Sequence, residues 1–265
     1  MCRLFGYVAS QPASVIDHLG QEGFDVFTSL TAVHSYGWGM AWHGEGDETA
    51  HAATSTLSAA DDPRYFELAG QPLGERGIVH LRWATGGLAV TEQNTHPFTD
   101  GAYAMAHNGN IAPRGRLEEL LTPESRDQLR GDTDSERYFR FVMQCIGAAD
   151  DEPTGVRQAV GALHEEFPDS SLNALLLTPS RLFAVHVNST AATPMRALNE
   201  IFAADDTDVL TGHETEYYEM SYRVTPDAVY VISSGLDEEG WSNMGTDTVV
   251  EIDLETRTTA RLAAI

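Results

Sequence analysis

The sequence predicts an α+β domain with layered sheets. Three observations carry this expectation. Short apolar runs rich in β-branched or aromatic residues recur early in the chain and again towards its end. Two segments of helical period lie between them. The 265 residues, 42% of them hydrophobic, suffice for one large domain with a substantial core, or two small ones. Strands followed by helices followed by strands must each bury one face, and stacked layers are the way to do it.

Residues 4–9 read as the first strand, starting almost at Cys2. Trp38–His43 reads as a second, and residues 78–83 and 102–106 as two more. Residues 175–178, a Pro-Ser turn and residues 182–187 make a hairpin. Residues 229–233 are a further strand; 248–253 and 258–262 pair through a turn at 254–257. Thr133-Asp134-Ser135-Glu136 is a capping box, a hydroxyl with Glu three residues on. Behind it Tyr138, Phe141, Val142 and Cys145 fall at helical spacing, so Cys145 is expected in the core. Val156, Val160, Leu163 and Phe167 mark a second helix, starting near Asp151 or Thr154. No repeat, linker or low-complexity run interrupts the chain, and residues 190–222 carry no motif.

Composition excludes several functions. Formal net charge is -24, from 40 acidic and 16 basic residues, and every fixed cation is Arg. Such a surface repels phosphate backbones, so nucleic acid is not an expected partner. No run reaches the roughly 18 apolar residues of a membrane span. Arg3 is followed by too short an apolar run for a secretion signal, which places the chain in the cytoplasm and argues against a lipidated Cys2. Two cysteines make no disulfide framework and fit a reducing compartment. No Cys and His spacing matches a structural zinc site, and neither metal nor cofactor is expected.

Four places carry chemistry. Cys2 stands directly behind Met1. Removal of Met1 would leave a thiol nucleophile and an α-amine of pKa ~8 on one residue. In His80-Leu81-Arg82-Trp83-Ala84-Thr85, a strand ends on an Arg whose planar fork suits a carboxylate. In Ala106-His107-Asn108-Gly109-Asn110, the Asn side-chain amide and the Gly N–H can serve an oxyanion; the same Asn-Gly pair would also make a plain turn. In Asp132-Thr133-Asp134-Ser135-Glu136, a carboxylate at a helix start can meet an ammonium group. His96, in the loop 91–98, reads as structural. Together these describe a site for a free amino acid with a reactive side-chain carbonyl, which means glutamine or a γ-glutamyl compound.

The ordered set Met1-Cys2-Arg3-Leu4-Phe5-Gly6, Arg82-Trp83-Ala84-Thr85, residues 92–97, His107-Asn108-Gly109 and Thr133-Asp134-Ser135-Glu136 resembles the class II glutamine amidotransferases of N-terminal-nucleophile hydrolase fold. Order and spacing look like the glutaminase half of glucosamine-6-phosphate synthase. Gly37-Trp38-Gly39-Met40-Ala41-Trp42 looks more like stand-alone members. The resemblance implies a four-layer αββα sandwich and one glutaminase domain over residues 1–265. It implies Cys2 as nucleophile with its α-amine as base, and Asn108 and Gly109 as the oxyanion hole. Arg82 and Asp134 would hold the α-carboxylate and α-ammonium of the substrate, with Thr85 a further substrate-side residue. The ligand would be glutamine or a γ-glutamyl small molecule, and the ammonia could pass to a separate enzyme. Gly86 stands where the synthase type has His, and His34-Ser35-Tyr36-Gly37 where it has an Arg-Gly-Tyr-Asp-like segment. Two other readings stay open: an amidohydrolase for a modified γ-glutamyl metabolite, and a catalytically silent subunit of the same fold.

The charge excess generates a prediction. As a hypothesis, the anionic surface is an adaptation to high salt, because screening relieves its self-repulsion. Thermal midpoints should then rise between low and molar salt; a flat or falling curve removes the idea.

Overall fold

Successive residues of a strand point to opposite faces, so a strand with two apolar faces must be covered on both sides. Most strands here are of that kind. The structure is a computed structural model, and it describes residues 2–44, 46–83, 88–188, 190–195, 217–235 and 240–264. In chain order it contains β1 (Arg3–Ala13), α1 (Val15–Ser29), β2 (Trp38–His43), β3 (His51–Ser55), α2 (Pro63–Ala69) and β4 (Gly74–Leu81). There follow β5 (Phe98–Asp100), β6 (Tyr103–Asn108), α3 (Arg114–Glu119), α4 (Pro123–Asp127), α5 (Asp134–Ala148) and α6 (Glu152–Glu166). The chain continues with β7 (Asn173–Leu177), β8 (Arg181–His186), β9 (Met220–Val224), β10 (Ala228–Ser233), β11 (Ser242–Asn243), β12 (Thr248–Asp253) and β13 (Thr259–Ala264).

The strands form two antiparallel sheets, ordered β11-β9-β10-β1-β4-β2-β3 and β13-β12-β8-β7-β6-β5. Three cores define the layers. Leu4, Val8 and Ile78 of the first sheet meet Ala104, Ala106, Leu175, Leu177 and Ala184 of the second. The alternate residues of the first sheet, Phe5, Tyr7, Val79 and Leu81, pack against Val15, Phe24 and Phe27 of α1 and Tyr65 of α2. Those of the second, Met105, Ala174, Leu176, Phe183 and Val185, pack against Phe139 and Val142 of α5 and Val156, Val160 and Leu163 of α6. The result is helices, sheet, sheet, helices: the expected four-layer α+β sandwich. Among the described residues no helix is long and apolar enough to cross a membrane.

The sequence reading of most strands survives with shifted ends: 78–83 is Gly74–Leu81, and 4–9 runs on to Ala13. Trp38–His43 is unchanged. The helix α1 was not anticipated, although Ser14 and Asp17 form a complete reciprocal cap at its start. Gly20, at φ 74°, interrupts its helical period, and no continuous apolar stripe is left to read. At α5 the capping box is only half made. Thr133 accepts from the Glu136 N–H, but the Glu136 carboxylate accepts instead from the N–H groups of Arg130 and Gly131, 2.8 Å each. Cys145 is partly buried and packs against the α5–α6 core.

His18 of α1 offers a test of this packing. Its ring lies 4.2 Å from Tyr7 and 5.6 Å from Tyr230, centroid to centroid. Burial lowers its pKa to about 4, and the Asp17 charge opposes only weakly. The unfolded chain protonates His18 near ~6.5. Between the two values the unfolded state binds more protons, so stability is complete above about pH 6.5 and falls as pH drops towards 4. One group contributes at most about 1.4 kcal/mol per pH unit. His18→Phe should flatten this part of the curve of thermal midpoint against pH; an unchanged slope contradicts the assignment.

Candidate active site

The alternation that builds the inter-sheet core also builds the site. Cys2 precedes Leu4 by two residues, Arg82 follows His80 and Ile78 by twos, and Asn108 follows Ala106 and Ala104 by twos. All three therefore emerge on the inter-sheet face, at one end of the cleft. β1 lies between β4 and β10, with Leu4 opposite His80 and Phe5 opposite Ile232. That central position fixes the chain start in depth and register.

The Cys2 nitrogen donates to Asn108 Oδ1 at 2.8 Å, across the two sheets. This orients the Asn108 amide. Its Nδ2 is buried and meets no hydrogen-bond partner among the described residues. The Cys2 thiol faces the Trp83 carbonyl at 3.8 Å. Burial pushes the thiol pKa up, and the positive charges of Arg82 and Arg3 oppose the rise. Next to Asn108, a Cβ on Gly109 would run into the Ser171 carbonyl oxygen and His107 Nε2, so no larger residue fits. His107 donates to the Ser171 carbonyl through Nε2 and accepts from Ser135 Oγ at Nδ1, 2.9 Å each. Ser171 Oγ donates to the Asn108 carbonyl at 3.0 Å. The His107 ring thus pins the end of β6 to the first turn of α5.

Asp134 is buried at that turn, where the helix dipole favours a carboxylate. One of its oxygens accepts from the Ile111 N–H at 2.7 Å. Arg82 is buried and donates to the carbonyls of Tyr36 and Ala89, both at 3.3 Å, which occupies two of its five N–H groups. Cys2, Arg82, Gly109 and Asp134 line one small cavity of about 20 Å³, together with Trp83, Leu88, Asn94, His96, His107, Thr133 and Ser135. Four of the six site residues expected from sequence thus share a wall, and Asn108 is bonded to one of them. Thr85 lies outside the described residues. A larger cavity, about 280 Å³, is lined by Glu92, Gln93, Thr95, Pro97, Phe98 and Thr99 together with Arg130, Glu136 and Arg140 among others. Its described lining contains no Cys, so size is a poor guide to where the thiol lies.

Four residues at or beside the site escaped sequence reading. His96 lines the cavity, and its Nδ1 is 2.8 Å from Nε2 of His80. Burial drives both imidazoles well below the usual pKa and keeps them neutral. Arg3 is buried, donates to the Cys2 carbonyl at 3.1 Å and stacks over the Tyr217 ring at 4.6 Å. Tyr217 belongs to the stretch that had no motif, and a contact this distant in sequence leaves no local signal.

Fold and site together define a two-sheet sandwich with a thiol at the start of a central strand. The chain belongs to the family described as Glutamine amidotransferases class-II, which matches residues 1–250. A glutamine–fructose-6-phosphate aminotransferase of Gluconobacter oxydans is 35% identical over 159 residues, 56% of this chain and 22% of the relative. One from Thermococcus kodakarensis is 25% identical over 213 residues, 78% of this chain and 32% of the relative. The chain therefore spans less than a third of these relatives. Among solved structures, a glutamine aminotransferase class-II domain protein from Silicibacter pomeroyi superposes with a TM-score of 0.64 at 16% identity, over 98% of both chains. The glutamine phosphoribosylpyrophosphate amidotransferase of B. subtilis also gives 0.64, at 17% identity, over 100% of this chain and 50% of that one. At such identities the superpositions show the fold.

The crowding at Gly109 is testable. Gly109→Ala should destabilise the protein by about 1–3 kcal/mol or more, since the neighbouring atom is backbone and cannot step aside. Urea unfolding measures it, and a change within error would mean that the β6 end has room to spare.

Proposed function

We propose that this chain hydrolyses the side-chain amide of glutamine through Cys2, releasing glutamate and ammonia. The supporting observation is the single Asn108 amide. Its oxygen holds the Cys2 nitrogen at 2.8 Å while its Nδ2 stays unpartnered among the described residues. One side chain thus orients the future base and leaves a buried donor for an oxyanion.

Removal of Met1 turns the Cys2 nitrogen into the α-amine. Burial keeps the thiol protonated at neutral pH, so attack needs a base, and the amine is on the same residue. The amine takes the thiol proton and sulfur adds to the amide carbon. Asn108 Nδ2 and the Gly109 N–H receive the oxyanion. The ammonium returns its proton to the departing nitrogen, the C–N bond breaks, and ammonia leaves a γ-glutamyl thioester. Water adds next, activated by the same amine, and the C–S bond breaks to give glutamate and the free thiol. Arg82 takes the substrate α-carboxylate with its remaining N–H groups. Asp134 takes the α-ammonium with its second oxygen, and Thr85 supplies a further polar contact. The 20 Å³ cavity holds about one water, so glutamine must displace part of the lining. The ammonia is available to an acceptor enzyme on a separate chain.

The test is release of glutamate and ammonia from glutamine, and from γ-glutamyl amides, by Met1-processed protein. Cys2→Ala should abolish turnover, and Asn108→Ala should lower kcat by about 10²–10³. Turnover that survives Cys2→Ala refutes the mechanism. Cleavage of γ-glutamyl amides with glutamine inert moves the substrate to the modified class, and no turnover on either, with no thiol adduct from a glutamine-like electrophile, marks a silent subunit.

A further inference from the structure

We propose that Cys2, His80 and His96 form a binding site for one zinc-class divalent ion, and that occupancy blocks the Cys2 thiol. Among the described residues these three bring one donor atom each to within 4.8 Å of the others, and all three are buried. A thiolate with two imidazoles is a donor set that suits Zn²⁺. With metal bonds of about 2.0–2.3 Å, a tetrahedral site separates its donors by about 3.3–3.8 Å. Small rotations of the three side chains cover the difference.

The imidazoles are under-used as they stand. His96 Nδ1 and His80 Nε2 face each other at 2.8 Å and share one proton at most. His80 Nδ1 and His96 Nε2 meet no partner among the described residues. Two buried rings with one mutual hydrogen bond and two idle nitrogens are poorly satisfied for a protein interior. A metal ion would take one nitrogen from each ring. The donors come from the start of β1, from β4 and from the loop before β5, so no sequence spacing betrays them. Asp134 lines the same cavity and offsets Arg82, which would otherwise oppose a cation.

Binding is a ligand exchange without redox change. Aqueous metal loses waters, the Cys2 S–H bond breaks, a metal–sulfur bond forms and one proton goes to solvent. After removal of Met1 the Cys2 amine can close a five-membered chelate with the same ion. The sulfur lone pair then lies in a metal bond and cannot attack a carbonyl. Metal binding stands by itself; only the inhibition rests on the glutaminase reading above.

The experiment titrates metal-free, Met1-processed protein with Co²⁺, whose thiolate charge-transfer band reports sulfur ligation, and then with Zn²⁺. One Co²⁺ per chain should give the band, and Zn²⁺ should displace it. One equivalent of Zn²⁺ should slow iodoacetamide alkylation of Cys2 at least tenfold, leave Cys145 unaffected and be reversed by EDTA. His80→Gln and His96→Gln should each weaken Co²⁺ binding by about tenfold or more, with circular dichroism checking the fold. No thiolate band, unchanged Cys2 alkylation, or undiminished affinity in a folded His96→Gln protein overturns the site. The wild-type measurements decide even if a variant fails to fold. Metal-free protein that turns over glutamine but gives no band with Co²⁺ sinks the metal site alone, and protein that gives the band but is inert towards glutamine while metal-free sinks the glutaminase reading alone.

Discussion

The hydrogen bond from the Cys2 nitrogen to Asn108 Oδ1 is the contact on which the site depends. It spans 106 positions of sequence and joins the first strand of one sheet to the end of a strand in the other. It can form only if both sheets are in register and stacked at the right depth. Register comes from β1, held on both sides by β4 and β10. A one-residue slip would send Leu4 and Val8 to the helix side and Cys2 away from the cleft. Depth comes from the inter-sheet core of small and branched residues, Ala104, Ala106 and Ala184 against Leu4, Val8 and Ile78.

The same constraint explains why local polar contacts look over-determined. Gly109 is jammed between Ser171 and His107, and His107 is bonded to both Ser171 and Ser135. Buried polar groups that are fully paired lose their freedom to choose other partners. The donors left unpaired among the described residues, such as Asn108 Nδ2, then stand out against a satisfied background. In the proposed reaction an amide already held in place needs no reorientation before it donates.

The sequence was legible where structure is local and periodic. Trp38–His43, the hairpin of β7 and β8 and the helices α5 and α6 carry their own signals, as period two, a turn, or a cap before an apolar stripe. It was illegible where Gly interrupts the period, as at Gly20 in α1, and where strands are short and half-exposed, as in β3 and β5. That Cys2, Arg82, Asn108, Gly109 and Asp134 come together was legible because each carries a residue type suited to one job in a single proposed site. The roles of His80 and His96 were hidden because their meaning lies in each other, 16 positions apart, and a His before Pro looks structural. Glu136 misled in a small way: its carboxylate ties back the preceding loop at Arg130 and Gly131 instead of completing the cap.

Under the mechanism proposed above, depth has a chemical consequence for the Cys2 thiol. A thiol this buried resists ionisation, because the charged form loses its hydration. Some group must take its proton inside the cleft. The two nearest imbalances point in opposite directions. His80 and His96 are kept neutral by the same burial and have ring nitrogens without a partner among the described residues, yet burial makes them weaker bases than an ordinary imidazole. An α-amine is the stronger base, and removal of Met1 would place one on Cys2 itself. Any Cys in the middle of the chain would bring an amide nitrogen, which is no base. Under the proposed mechanism, then, burial gives a base carried by Cys2 itself more weight than the thiol as such.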